Sequence, residues 1–274
     1  MTTTSTERRA GFWRRAVGST GFAGVAYLAF VGVAGYAVAF LAGRAVPRTV
    51  DSGGPHAGTV TAVLIDLLLL AGFATQHSVM ARPAFKRQWT RLVPQHLERA
   101  CYILATSVVL ALMFWQWRPI PAVVWNVHDG PARAVLWALF VLGWVLVVAM
   151  TFAIDHLDML GLRQVGRHLR GHQPTAPAFK LPLPYRLVRH PMMTGFLIAF
   201  LATPMMTAGH LLFAAAATAY IGVGIAFEER DLRRDLGEAY RAYQHRVPAL
   251  IPALWPRSRR GTQPTRDAQG ENPA

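Results

Sequence analysis

Long apolar runs separated by short polar and basic stretches set the pattern of this chain. Uninterrupted runs at 20–43, 58–80, 100–117 and 134–154 each approach the roughly 20 residues that carry a helix across a bilayer core. They lack amphipathic alternation, so each predicts a membrane span. The apolar stretch from Met192 to Phe227 differs, because Thr203-Pro204 and Gly209-His210 interrupt it and leave a first arm of about 12 residues, roughly 18 Å at 1.5 Å per residue. That arm is too short to cross alone. A helical hairpin that dips in and returns, buried against the other helices, satisfies the broken backbone that lipid would leave unpaired. The pattern therefore predicts an all-α integral membrane protein with five membrane elements over residues 20–255, the last of them a helical hairpin. Residues 1–19 form a basic segment ahead of it. Residues 256–274 hold almost no apolar side chains and are expected to be a disordered tail.

Charge adds sidedness to this picture. Four Lys or Arg precede the first span, five lie between Ala81 and Arg99, six between Arg163 and Arg189, and nine in the C-terminal part, 24 of the 28 in all. Only Arg44, Arg48, Arg118 and Arg133 fall in the two opposite loops. Cytoplasmic loops carry the basic excess, so both termini and both long basic loops are expected in the cytoplasm, with the bundle in the cell inner membrane. Arg8, Arg9, Arg14 and Arg15 imitate a signal peptide, but the apolar run from Gly21 to Gly43 exceeds a signal h-region and no clean A-x-A site follows it. The segment reads as an anchor.

Composition narrows the function classes. The chain of 274 residues is 53% hydrophobic and 15% charged, against about a quarter charged in soluble domains. Its net charge of +14 does not point to nucleic acid, because no soluble basic domain remains once the spans are removed. Anionic headgroups of the lipid bilayer and an anionic group on a cofactor are the expected partners. Cys101 stands alone, which excludes a disulfide framework and a thiolate metal cage. There is no Gly-rich phosphate loop, Rossmann fingerprint or H-E-x-x-H spacing, so no metal site is expected.

The densest polar cluster flanks the hairpin: Tyr185-Arg186-Leu187-Val188-Arg189-His190-Pro191 before it and Glu228-Glu229-Arg230-Asp231 after it. A hairpin brings the two together at the cytoplasmic face, with Arg and His on one wall and carboxylates on the other. Such a pocket suits S-adenosylmethionine, whose carboxylate calls for Arg or N–H donors, whose ribose diol calls for a carboxylate, and whose sulfonium gains from negative charge. The same residues also fit a basic loop facing headgroups next to a solvated acidic helix start.

The string RHPMMTG at 189–195, then EERDL at 228–232 and GEAYRAYQHRVPALIP at 237–252, resembles the paired C-terminal motif of the isoprenylcysteine carboxyl methyltransferase superfamily. QHSVMARPAFK at 76–86, ERACY at 98–102, DHLDMLGLRQVG at 155–166 and TPMMTAGHLLFA at 203–214 resemble the methanethiol S-methyltransferases and their relative nurim. The likeness runs from about residue 20 to 252. It implies a cytoplasmic S-adenosylmethionine pocket built from Tyr185, Leu187, Val188, Arg189, His190, Pro191, Gly195, Glu228 and Glu229, closed by Tyr240, Tyr243 and Arg246. It implies methylation of a small thiol, methanethiol giving dimethyl sulfide. The alternatives are another membrane methyltransferase, acting on a prenylcysteine, a lipid or a different thiol, and a nurim-like protein without catalysis. One departure stands out: the superfamily pattern RHPxYxG carries Tyr where this chain has Met193.

On the acceptor side, Met192, Met193, Met205 and Met206 offer soft walls for sulfur or simply pack the hairpin. Asp66 lies inside the second span, where an ionisable residue faces the bundle interior, as an interhelical hydrogen bond or a functional group. His77, three turns on, shares its face. Transfer to a thiol needs a base or a fixed positive charge to favour the thiolate. His77 and the Asp155-His156 pair are expected to line the substrate side of the pocket, with His77 or His156 taking the proton and Arg189 or the cofactor sulfonium supplying the charge.

Overall fold

A computed structural model gives the fold, describing residues 5–170 and 183–252 and, in the first helix, side chains from Ala16 onward. The tail expected beyond residue 255 lies outside the described residues. Helix α1 (Ser5–Ala42) takes in both the basic segment and the first apolar run. α2 (Thr59–Ala81) ends two residues before Pro83, on which α3 (Pro83–Trp89) starts. Proline lacks the N–H that the first turn of a helix leaves unpaired anyway. A 3-10 turn at Gln95–Leu97 leads into α4 (Glu98–Gln116), followed by the strand β1 (Val123–Asn126). α5 (Gly130–Ile154) is capped by Asp129, whose carboxylate accepts from the Ala132 N–H at 3.2 Å. The short α6 (His156–Met159) and α7 (Leu162–Leu169) follow. Past a 3-10 turn at Leu183–Arg186 come α8 (Pro191–Leu201), β2 (Met205–Thr207) and α9 (Ala208–Arg246).

α1, α2, α4, α5 and α9 are long and apolar enough to cross a membrane, which makes this an integral membrane protein. Each predicted span lies in one of them. α9 crosses with its apolar part, residues 208–227, while its polar remainder stands clear and bends at Gly237, where φ is +54°.

The hairpin goes deeper than the expected shallow dip. α8 has only 11 residues, but the segment after it runs extended and ends in β2, which pairs antiparallel with β1 in the α4–α5 connection. Extended chain advances about 3.3 Å per residue against 1.5 Å for helix, which completes the passage to the far end of the bundle. This two-stranded ribbon qualifies the all-α expectation. The Thr203-Pro204 break frees backbone groups that must be paired, and the α4–α5 loop is within reach. Val127 N–H donates to the Pro204 carbonyl at 2.8 Å, and Trp125 Nε1 to the Thr203 carbonyl at 3.0 Å. His210, fully buried, meets the Phe200 carbonyl left open at the end of α8 at 3.1 Å.

At this tip end, Trp117 Nε1 donates to the Val50 carbonyl, and Thr207 Oγ1 donates to Asp51 at 2.6 Å. Asp66, buried on the tip-end half of α2 near the span centre, accepts from the Arg118 N–H at 2.9 Å. This hydrogen bond fits the structural reading for Oδ1, while Oδ2 has no partner among the described residues. Phe40, Phe114, Trp117, Phe140, Phe200 and Phe213 fill the core in the same half of the bundle.

α5 and α8 are in closer contact than any other pair of helices, because Gly143 and Gly195 face one another. A Cβ on Gly143 would stand 2.7 Å from the Ala199 nitrogen and the Gly195 carbonyl oxygen. Small residues allow this approach, and close packing replaces the hydrophobic effect as the force between helices in lipid. The predicted segregation of charge is visible along the bundle. Arg82, Lys86, Arg163 and Arg189 stand at one end, called here the basic end, and Arg44, Arg48, Arg118 and Arg133 at the tip end.

Candidate active site

The hairpin folds the two motif ends together at the basic end. Arg189 lies just before α8, and Glu229 lies two residues past the apolar part of α9. Arg189 Nε is 2.7 Å and Nη2 2.6 Å from Glu229 Oε1, and His190 Nε2 is 3.1 Å from the same oxygen. Gln244 Nε2 donates to the other carboxylate oxygen at 2.9 Å. Arg189 Nη1 donates to the carbonyls of Gln244 and Val247. The segment past α9 closes the knot: Arg189 N–H donates to the Pro248 carbonyl at 2.8 Å, His190 N–H to Ala249 at 3.0 Å, and Thr194 Oγ1 to Leu250 at 2.7 Å. Pro248 and Pro252 cannot continue a helix, and the chain between them turns back across Arg189.

The knot separates the two glutamates. Glu229 is saturated and its side chain 12% exposed, while Glu228 is 55% exposed and, among the described residues, meets only His190 Nδ1 at 3.5 Å. Burial pushes the Glu229 carboxyl up, but the hydrogen bonds and charges of Arg189 and His190 outweigh this and hold it below the ordinary glutamate range. It stays ionised at neutral pH. Arg189 has spent most of its five donors on protein, which leaves one Nη2 N–H for a ligand.

Tyrosines complete the wall. Tyr243 donates to the Tyr185 carbonyl at 2.7 Å and holds the 3-10 turn before Arg189. The hydroxyls of Tyr185 and Tyr240 have no protein partner among the described residues. Burial, with Glu228 nearby, raises the Tyr185 phenol, and burial, with Glu229 nearby, pushes Tyr240 up to about 12. Both therefore remain hydrogen-bond donors. Val188 and Pro191 are buried beneath them.

Other predicted residues stand apart. Gly195 packs on Gly143 and Val147 of α5, Leu187 is exposed, and Arg246 is exposed with only the Ala242 carbonyl as its acceptor. Met205 and Met206 lie in β2 at the tip end, so the four methionines cannot line one tunnel. Gln244 and the carbonyls of 247–250 escaped sequence reading; the two prolines of VPALIP are the signal that marks them.

The two histidine candidates differ in kind. His156 Nδ1 is 2.8 Å from Thr151 Oγ1 and its Nε2 3.2 Å from the Tyr27 hydroxyl, and Asp155 pairs with Arg163 and caps α6. Both ring nitrogens of His156 are thus engaged by protein hydroxyls. These contacts tie α5 to α1 and favour a structural role for His156 over the expected catalytic one. His77, on α2, is only partly buried, and Tyr102, Phe73 and Tyr220 surround it. Among the described residues no group of three or more His, Cys, Asp or Glu is arranged to hold a metal ion.

Comparison with known proteins places the chain in a family. The family described as NnrU protein matches residues 63–254. A methanethiol S-methyltransferase of Mycobacterium tuberculosis is 52% identical, the alignment covering 86% of this chain and 95% of the relative. Methanethiol S-methyltransferase 1 of Bradyrhizobium diazoefficiens is 52% identical over 85% of this chain and 81% of its own. Human Nurim is 32% identical over 67% of this chain and 77% of its own. No solved structure matches. The chain belongs to the NnrU protein family and groups there with the methanethiol S-methyltransferases.

Proposed function

We propose that this protein methylates methanethiol to dimethyl sulfide with S-adenosylmethionine as methyl donor. The observation that carries this reading is the half-identity, over most of the chain, to proteins bearing the methanethiol S-methyltransferase name. The donor set at the basic end fits the cofactor: an open carboxylate on Glu228, two unpartnered phenols on Tyr185 and Tyr240, and one remaining N–H on Arg189.

When bound, S-adenosylmethionine supplies a methyl group activated by a sulfonium. Glu228 would accept from its ribose hydroxyls, and Tyr185, Tyr240 and Arg189 would donate to its carboxylate. Glu229 and His190 hold Arg189 and the turn before α8 in place. Leu187, Val188 and Pro191 add apolar contact. The thiol must lose its proton, which requires a base because burial alone opposes the thiolate. His77 is that base, since His156 is spent on structure. The basic end faces the cytoplasm, where the donor is made, and the bundle sits in the inner membrane with both termini inside.

The test is direct. Membranes containing the protein are given methanethiol and methyl-labelled S-adenosylmethionine, and labelled dimethyl sulfide is measured in the headspace. Wild type is expected to produce it. His190→Ala is expected to abolish production while the protein still accumulates. No product from wild type, together with no cofactor binding in detergent, would support a non-catalytic role instead.

A further inference from the structure

We propose that Phe73, Tyr102 and Tyr220 form an aromatic box around His77 that receives a small thiol, with His77 as the base that takes its proton. This rests on the methyltransferase reading above and names the acceptor end of the same site. Three helices meet there. Phe73, one turn before His77 on α2, lies nearly parallel to its ring at 5.4 Å between centroids. Tyr220 of α9 is edge-on to His77 at 6.5 Å and to Phe73 at 6.0 Å, and its hydroxyl is 3.0 Å from Ser78 Oγ. Tyr102 reaches in from α4.

The Tyr102 contact is unusual in a way that matters. Its hydroxyl oxygen is 2.9 Å from Nδ1 and 3.0 Å from Nε2 of the same ring. No oxygen can be almost equidistant from both nitrogens in the ring plane, because Cε1 on one side or the Cγ–Cδ2 bond on the other would block it. The hydroxyl therefore sits over the imidazole face. In their own plane, where nitrogens donate and accept, both ring nitrogens of His77 have no protein partner among the described residues.

The other histidines within the bundle contrast with this. His156 has both nitrogens engaged and His190 is spent on Glu228 and Glu229, while His210, on the Phe200 carbonyl through Nε2, keeps a partnerless Nδ1 but is fully enclosed where no ligand reaches it. His77 is held by its face and left open at its edge. Its neighbours are aromatic, and aromatic rings favour sulfur at close range. A cage of three rings around an imidazole open at its edge suits a small, neutral S–H compound better than a charged one.

Position joins the box to the knot. Tyr220 and Glu228 are eight residues apart on α9, about 12 Å along the helix and about 80° around it. Arg82, at the end of α2, stands over the Phe227 ring at 4.9 Å, so the two helices stay together between the box and Glu228. The box and Glu228 thus lie along the same pair of helices, the aromatic group deeper and the carboxylate at the basic end. In the proton step the S–H bond breaks, its electron pair stays on sulfur, and the proton binds the open His77 nitrogen, later leaving to cytoplasmic water. Tyr102 is a positioning residue that steadies the ring.

The experiment follows methanethiol methylation by wild type, His77→Gln and Tyr102→Phe across the neutral to mildly alkaline range. Without its base the enzyme depends on thiolate already formed in solution. The His77→Gln rate should therefore fall by roughly 100-fold or more near neutrality and climb about tenfold per pH unit, whereas wild type levels off. Tyr102→Phe should be several-fold slower, with its loss in kcat and not in KM for the cofactor. A second measurement needs no turnover: carbethoxylation of His77 by diethyl pyrocarbonate, followed by mass spectrometry, should slow in the presence of dimethyl sulfide. A His77→Gln profile that is lowered but keeps the wild-type shape overturns the base, and His77 labelling indifferent to dimethyl sulfide overturns the box. Wild type inactive at every pH would overturn the methyltransferase reading; protection of His77 would then still support the box.

Discussion

Replacing Glu229 by glutamine removes the charge that two N–H groups of Arg189 and the ring of His190 converge on, and leaves the guanidinium without its counter-ion. The side chains of Arg189 and Glu229 are only 11% and 12% exposed, so water cannot replace the lost partner. Removing one member of a buried ion pair costs about 3–5 kcal/mol, and glutamine, which keeps an acceptor oxygen, belongs near the lower figure. For a chain of this size that corresponds to a melting temperature lower by roughly 6–12 °C. Glu228→Gln should behave differently. Its carboxylate is 55% exposed with a single contact at 3.5 Å, so its removal costs no more than about 1 kcal/mol. It should instead raise KM for S-adenosylmethionine by roughly 10–100-fold, the worth of a charge-assisted hydrogen bond to a ligand. Thermal unfolding in detergent and cofactor-dependent methylation, run on both variants, separate the two effects. Equal loss of melting temperature in both, or none in Glu229→Gln, would refute the division between a structural and a ligand-facing glutamate.

Three further outcomes follow from the same coordinates. Because the folded-state pKa of Glu229 is depressed, its stabilisation is present above the unfolded glutamate value and disappears as pH falls through the folded one. Wild type should therefore lose melting temperature below about pH 4 more steeply than Glu229→Gln does. Gly143→Ala places a methyl group against the backbone of α8 and should cost about 1–3 kcal/mol by thermal unfolding. Tyr220→Ala opens one wall of the box and should shift the kcat/KM ratio of propanethiol to methanethiol by about tenfold in favour of the larger thiol.

Much of this protein is legible from its sequence. The apolar runs are long because lipid offers the backbone no partners, so length and composition alone set out four spans and a broken fifth. The basic residues segregate to one end because anionic headgroups and the membrane potential act on each charge independently of its neighbours. Arg189-His190 and Glu228-Glu229 were visible as a pair since opposite charges flanking one hairpin are brought together by its connectivity.

The rest needed three dimensions. Nothing in the string EE says which carboxylate is saturated; that follows from the 100° turn between them on α9 and the return of 247–250 across Arg189. His77 and His156 look alike as membrane-end histidines. Only the positions of Tyr27, Thr151 and Tyr102, from other helices or an earlier turn, decide that one ring is consumed by hydrogen bonds while the other is held by its face. The ribbon at the hairpin tip was hidden for the same reason. A three-residue strand carries no periodic signal, and it exists because Pro204 frees a backbone that the α4–α5 loop is placed to pair. Sequence pattern reports what each segment needs from its solvent, whereas hydrogen-bond partners distant in the chain are assigned by packing.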